Sequence, residues 1–218
     1  MEKANAMSEI IPFDFQPQAV VLGNGTFPVH RVPLSHLATA PFLLCCDGAV
    51  NKLVNHGLRP DFIIGDGDSI SEENRERYAD RFLRIADQET NDQTKAVDYL
   101  QGKGITRIAI IGATGGREDH TLGNISLLME YRRRGLEVEM FTDTGRFVAV
   151  EGNATFSCNA GQQVSIISFG ARGMISQGLK YPLHDLTNWW QGTLNEALST
   201  HFSIDARGEY LVFMEYSK

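Results

Sequence analysis

Short uninterrupted apolar runs, each emptying into glycine, asparagine or aspartate, recur through the first two thirds of the chain. Ala19-Val20-Val21-Leu22 stops at Gly23-Asn24-Gly25, Phe42-Leu43-Leu44-Cys45-Cys46 runs into Asp47-Gly48, and Phe62-Ile63-Ile64 runs into Gly65-Asp66-Gly67-Asp68-Ser69. Phe82-Leu83-Arg84-Ile85, Ile108-Ala109-Ile110-Ile111 and Val138-Glu139-Met140-Phe141 complete the series. Each has the length of a strand, and a mostly continuous apolar run belongs to a strand buried on both faces. Helical patterns lie between them. One carries Val50, Leu53 and Val54 and closes at Gly57; a polar one opens at Ser71; a third is capped by Thr90 or Asn91 and has Ala96, Val97 and Leu100 on one face. The longest places Leu122, Ile125, Leu128 and Met129 on one face and ends in Arg132-Arg133-Arg134 before Gly135, a basic turn suited to the negative end of the helix dipole. Strands alternating with helices predict an α/β domain over 19–145, a parallel sheet flanked by helices. Residues 1–18 show no such pattern and are expected to be a poorly ordered lead-in.

From about Arg146 the period changes. Phe147 to Val150, Ala154 to Phe156, Val164 to Phe169 and Met174-Ile175 are short β runs separated by Gly or Asn, and 201–204 with 210–213 around Ala206-Arg207-Gly208 reads as a hairpin. Residues 146–218 therefore form a second, all-β domain.

Composition narrows the partners. With 218 residues, 42% hydrophobic, the chain can bury a real core, and its net charge of −7 lacks the basic face a nucleic acid needs. No apolar run approaches the roughly 20 residues of a membrane span. Three cysteines, two of them adjacent and none in a CxxC, suit a reducing compartment, so a cytoplasmic location is expected.

Candidate chemistry sits where strands end. Asp66 and Asp68 are separated by one glycine after a buried strand; like charges this close call for a divalent cation or for solvent, and the pattern serves a metal site and a solvated turn equally. Asp47, Asp92 and Asp119 also fall at strand ends or helix starts. Taken singly, Asp92 and Asp119 are explained as well by helix N-termini. Ligands of an open α/β sheet bind outside the carboxyl ends of its strands, so repetition there favours one shared site, and carboxylate oxygens suit Mg²⁺. Gly112-Ala113-Thr114-Gly115-Gly116-Arg117 occupies the place of a phosphate-cradling loop, without the lysine of a P-loop or the spacing of a dinucleotide fingerprint. Arg117 can fork onto phosphate, Lys95 lies one turn after Asp92, and Asn124 is placed to face the ligand. His120 reads as a hydrogen-bonded structural histidine rather than a general base.

With these pieces assembled, the chain resembles the thiamine pyrophosphokinase family. The resemblance rests on Cys46-Asp47-Gly48-Ala49, on 60–69 around Gly65-Asp66-Gly67-Asp68-Ser69, on Asn91-Asp92-Gln93-Thr94-Lys95-Ala96, on 112–120, and near the end on 178–183 and Asn195-Glu196, in order from about Val20 onward. It implies a C-terminal β-sandwich and a homodimer with the active site between subunits. It also implies an ATP-dependent transfer of diphosphate to thiamine, with Mg²⁺ on Asp66, Asp68, Asp92 and Asp119, and Asp47, Ser69, Lys95, Thr114, Gly115, Gly116, Arg117 and Asn124 around the nucleotide. Thiamine would lie against Tyr181 and Asn195, with Trp189 and Trp190 either stacking on its rings or packing at the interface. The chain departs from the family at Asn91, where Thr is usual, at Gly67, usually larger, and at Leu194, where Ser commonly precedes the Asn. Two rival readings stay open: a metal-dependent nucleotide phosphohydrolase, and a thiamine-binding regulatory protein without turnover.

Overall fold

The computed structural model describes residues 8–85, 87 and 89–216. In chain order the elements are β1 (Glu9–Ile11), β2 (Ala19–Leu22), α1 (Arg31–Ala38), β3 (Leu43–Cys46), α2 (Ala49–Asn55), β4 (Phe62–Gly65), α3 (Glu72–Arg77), β5 (Phe82–Arg84), α4 (Asp92–Gly102), β6 (Arg107–Ile111), α5 (Glu118–Arg133) and β7 (Glu137–Phe141). Seven more strands follow: β8 (Gly145–Glu151), β9 (Ala154–Ser157), β10 (Gln163–Ser168), β11 (Arg172–Gln177), β12 (Asn195–Glu196), β13 (His201–Arg207) and β14 (Glu209–Glu215). They form two compact units, one of residues 16–143 and one joining the described residues before 16 to those from 144 onward.

In the first unit the strand order is β7-β6-β2-β3-β4-β5, and every pairing is parallel. The continuous apolar runs explain this: all four residues of both β2 and β3 are buried, as a strand covered on both faces requires. The chain builds outward from β2 through β3, β4 and β5, then returns to add β6 and β7 on its other side. The order therefore reverses between β2 and β6, the point at which an open sheet opens a crevice at its carboxyl edge.

Two helices differ from the sequence pattern. Helix α1 escapes it because Pro33 interrupts the apolar run, yet Pro33 sits in the first turn, where its missing N–H has no intrahelical acceptor. The His30 side chain caps that turn by accepting from the Val32 N–H at 3.3 Å. On α5, Leu128, Met129 and Tyr131 are buried, whereas Leu122 is 57% exposed, so the expected apolar face does not reach back to the helix start.

The second unit is a two-sheet sandwich. One sheet runs β12-β10-β14-β8, all antiparallel; the other runs β1-β9-β13-β11. Alternate residues of both sheets, among them Val148, Val150, Phe156, Ile166, Phe202, Ile204, Tyr210 and Val212, fill one core. Phe156 and Phe202 are cross-strand partners whose rings stack with centroids 4.7 Å apart, worth about 0.5–1.5 kcal/mol beyond their burial.

Two expectations are corrected here. The lead-in does not stay loose over its described part: β1 pairs in parallel with β9, and Ile11 enters the sandwich core. A three-residue strand carries too little pattern to be read alone, and residues 1–7 lie outside the described chain. The terminal hairpin does not exist either. β13 pairs with β9 and β11, and β14 with β8 and β10, so the turn at Gly208 (φ +99°) passes the chain from one sheet to the other. Two alternating runs joined by a tight turn look alike whether they pair or cross a sandwich.

Candidate active site

The acidic loop after β4 folds around a side chain from its neighbour. Asp47 follows β3 with φ +43°, is buried, and accepts hydrogen bonds from the N–H groups of Gly67 (3.0 Å) and Ser69 (3.1 Å). Glycine is required at 65, where a Cβ would stand 2.7 Å from the Asp47 Cβ, and at 67, where φ is +87° and a Cβ would meet the Phe82 ring at 2.9 Å. From α2, Asn51 donates to the Ser69 carbonyl (2.8 Å) and accepts from the Ser71 N–H (3.1 Å). From α3, Arg75 donates to the Gly67 carbonyl. Asp47 is thus the post of the loop, its two oxygens given to backbone rather than free for phosphate. Held this way, the loop turns Asp66 into a cavity, while Asp68 is exposed and its side chain is not among the lining. The Asp68 N–H bonds back to Asp66 Oδ1 at 3.0 Å.

Helix α4 brings the next group. Asn91 caps it by accepting from the Thr94 N–H at 2.8 Å, which leaves Asp92 at its first position and Lys95 one turn on, over the same cavity. The Lys95 side chain is only 6% exposed, and its Nζ lies 3.2 Å from Asp92 Oδ1. Burial pushes the Asp92 carboxyl above its usual range; the hydrogen bond and charge of Lys95 pull it back, and the charges of Asp47 and Asp66 push it up again. Three carboxylates therefore share one field. Beneath them Gln93 donates to the Asn124 carbonyl (3.2 Å) and to the Tyr131 hydroxyl (3.4 Å), and burial raises the Tyr131 hydroxyl to about 12.

The glycine-rich loop after β6 packs its backbone against the loop after β2. The N–H groups of Gly23, Gly25 and Thr26 donate to the carbonyls of Ile111, Gly112 and Thr114 at 2.7, 2.7 and 2.9 Å, and the Thr26 hydroxyl donates to Gly115 O at 2.8 Å. The Thr114 and Gly115 carbonyls face this neighbouring loop, and neither residue lines the cavity; Gly116, Arg117 and Asn124 do. Asn124 is a tie as well as a wall, donating to the Ala113 carbonyl (2.8 Å) and accepting from Asn91 (3.0 Å). Arg117 presents its fork to Asp119, Nε to Oδ1 at 3.1 Å and Nη2 to Oδ2 at 2.6 Å. That pairing draws the Asp119 carboxyl below its usual range. His120 is exposed and lines the cavity, and its backbone N–H donates to Asp119 Oδ1 at 2.9 Å.

The cavity measures about 780 Å³ and is lined from the ends of β2, β3, β4 and β6 and the starts of α4 and α5. It gathers Asp47, Asp66, Ser69, Asp92, Lys95, Gly116, Arg117, Asp119 and Asn124. Among the described residues no three His, Cys, Asp or Glu side chains stand close enough to hold a metal ion. The quartet Asp66, Asp68, Asp92 and Asp119 is therefore not a ready-made ligand set: Asp68 points outside, and both Asp119 oxygens are taken by Arg117. Cys46 also lines the cavity, with its thiol 3.5 Å from the Asp92 carbonyl. Sequence reading passed over Gly23, Asn24, Gly25 and Gln93; the Gly-Asn-Gly ending of β2 was the available signal, taken there only as the end of a strand.

In the sandwich, Asn195 is buried and its amide is spent on backbone. It donates to the Tyr181 carbonyl (2.7 Å) and accepts from the N–H groups of Tyr181 (3.0 Å) and Glu196 (2.9 Å), so it shapes the segment that presents Tyr181. Trp189 and Trp190 sit on a 3₁₀ turn closed by Asn188 and Gln191; Trp189 tilts against Phe169, and Trp190 is 73% exposed. Leu194 is held at φ +59° and is likewise exposed.

Comparison with known proteins matches this architecture. Residues 34–140 match the thiamin pyrophosphokinase catalytic domain and residues 145–213 the thiamin pyrophosphokinase substrate-binding domain. Thiamine pyrophosphokinase of Bacillus subtilis is 30% identical over 148 residues, 64% of this chain and 69% of that protein. The chain belongs to the thiamine pyrophosphokinase family. Thiamine pyrophosphokinase 1 of Oryza sativa is 30% identical over 125 residues, 46% of this chain; the match spans only about half (47%) of that relative's length. Among solved structures, thiamin pyrophosphokinase from Candida albicans superposes with a TM-score of 0.79 at 18% identity, over 96% of this chain and 93% of that one. The Bacillus subtilis enzyme superposes at 0.76 and 21% identity, over 92% and 99%. At these identities the superpositions establish the fold.

Proposed function

We propose that this protein transfers a diphosphate group from ATP to the hydroxyethyl group of thiamine, releasing AMP. One observation carries the reading: in a member of this family, Asp66, Asp92, Lys95 and Arg117 line a single cavity at the point where the sheet order reverses. The thiamine hydroxyl attacks the β-phosphorus of ATP and AMP leaves. What the chain contributes is alignment and charge. Lys95 and Arg117 receive the negative charge of the transferred group. Arg117 must first exchange Asp119 for phosphate oxygen, a cheap exchange because that ion pair is solvent-exposed. Asp92, its carboxyl raised by burial and by two like charges, is placed to orient the attacking hydroxyl or take its proton.

The donor set fits a hard divalent cation. Asp66 and Asp92 are oxygen ligands whose mutual repulsion a cation relieves, and Mg²⁺ completes its shell with water and phosphate oxygens rather than with an all-protein cage. Asp66 and Asp92, which both line the cavity, would hold it. When bound, the ion neutralises phosphate charge. Tyr181, Trp189 and Trp190 take the thiamine side, with Asn195 holding the segment in shape. The protein acts as a cytoplasmic homodimer in this reading. The exposed Trp190 and Leu198 support an interface, and the three free thiols support a reducing compartment. Among the described residues no helix is long and apolar enough to cross a membrane.

Incubation with ATP, Mg²⁺ and thiamine, followed by separation of products, tests the reaction. AMP and thiamine diphosphate should appear together and only when both substrates are present. AMP without thiamine would indicate a hydrolase, and ADP with thiamine monophosphate a different transfer.

A further inference from the structure

The loop after β2 is immobilised on two sides and open on the third. Its N–H groups at Gly23, Gly25 and Thr26 are bonded to the end of β6 and the loop that follows it. Its carbonyls at Asn24 and Gly25 are bonded to Lys52 of α2, whose Nζ stands 2.8 and 2.6 Å away. Lys52 makes no ion pair among the described residues, and burial lowers its ammonium below the usual range. Its charge is thus committed to two backbone carbonyls instead of a carboxylate. That leaves the open side. Asn24 lines the cavity, and neither its N–H nor its carboxamide has a partner among the described residues. The carboxamide rests over Gly48, where a Cβ would come within 2.8 Å of Asn24 Nδ2 and 2.7 Å of the Ser69 Cβ, so a larger residue at 48 would displace both.

Two unpartnered donors on one residue, on a loop free of acidic side chains and backed by an ammonium, suit an anionic oxygen. The position also fits, because β2 is the strand at which the sheet order reverses. We propose that residues 23–25 form a phosphate-facing wall of the cavity that Arg117 also lines, with Asn24 as the contacting residue and Lys52 as the positioning residue that holds the loop in place. The inference rests on the nucleotide reading above and adds to it a group that the acidic and glycine-rich motifs do not contain.

Titration calorimetry with inorganic triphosphate and, separately, with adenosine, both in the presence of Mg²⁺, tests it on the full chain. Asn24→Ala and Lys52→Met should each weaken triphosphate about tenfold, the loss of one hydrogen bond to a charged group, while adenosine affinity and the KM for thiamine stay unchanged. Lys52→Arg, which keeps donors for the two carbonyls, should recover most of the Lys52→Met loss. Unaltered triphosphate affinity in Asn24→Ala, or a loss confined to adenosine, would overturn the assignment. A Lys52→Met protein that melts earlier yet binds triphosphate normally would reduce Lys52 to a structural role and overturn its part. If the wild type forms no AMP while triphosphate affinity still responds to Asn24, the reaction is wrong and the wall stands.

Discussion

Asp47→Asn separates a brace from a ligand, because the two roles predict different losses. The buried carboxylate accepts one hydrogen bond from Gly67 N at 3.0 Å and another from Ser69 N at 3.1 Å. Asparagine tolerates the left-handed backbone at this position, so the substitution adds little strain of its own. It keeps one acceptor and turns its amide NH2 toward the other N–H, forfeiting one charge-assisted bond, about 2 kcal/mol. With a urea slope of about 2 kcal/mol/M, the unfolding midpoint of the 16–143 unit should fall by about 1 M. Far-UV circular dichroism follows that unit, since α1 to α5 all lie within it. The loosened loop carries Asp66, and a displacement of about 1 Å should lower kcat about a hundredfold. A hundredfold loss of kcat with an unmoved midpoint would refute the bracing role and return Asp47 to direct contact with phosphate. A midpoint and kcat both unchanged would mean that Asn51 and Arg75 alone hold the loop.

Four further outcomes follow from the same structure. Burial pushes the Cys45 and Cys46 thiols well above their usual range, so native protein should leave both unmodified by a thiol reagent at pH 8, and rapid labelling without unfolding would contradict their burial. A thiol raised in the folded state contributes stability that is present below its unfolded value, about 8.5, and is lost as pH rises toward the folded one. The urea midpoint should therefore decline between pH 8 and 10, less steeply in Cys45→Ala; parallel declines would exclude Cys45 as the cause. Leu194 is exposed at φ +59°, so Leu194→Asn should gain about 0.5–1 kcal/mol, read as a rise of a few degrees in melting temperature, and a lower temperature would show that the leucine is packed. Trp190→Ala should raise the KM for thiamine about tenfold and leave that for ATP alone; equal increases would place Trp190 outside the thiamine site.

Much of the α/β unit was legible because a parallel strand buried on both faces has to be a continuous apolar run, and β2, β3, β4 and β6 all are. The helix caps at Ser71 and Asn91 were legible for a related reason: they depend on residues three apart, a distance the chain itself sets. Pairing partners are another matter. Nothing in 201–215 tells whether two alternating segments bond to one another or turn between sheets, and only the register of β13 with β9 and of β14 with β8 decides it. The same holds for β1, whose three residues become a strand because β9 offers an edge.

At the site, the sequence determined which chemical groups stand at strand ends; the tertiary structure decided what each one does. Asp47 and Asp66 both follow buried strands, and one is spent on backbone N–H groups while the other enters the cavity. Asp119 looked like a ligand and is held by Arg117, two residues away. Lys52 carried no signal, because its role depends on a loop 27 residues earlier in the chain. Local propensity acts through neighbours along the chain, whereas a carboxylate's partner is whichever donor the sheet order brings within 3 Å or so. That order is settled by the packing of the whole unit, not by any segment of it.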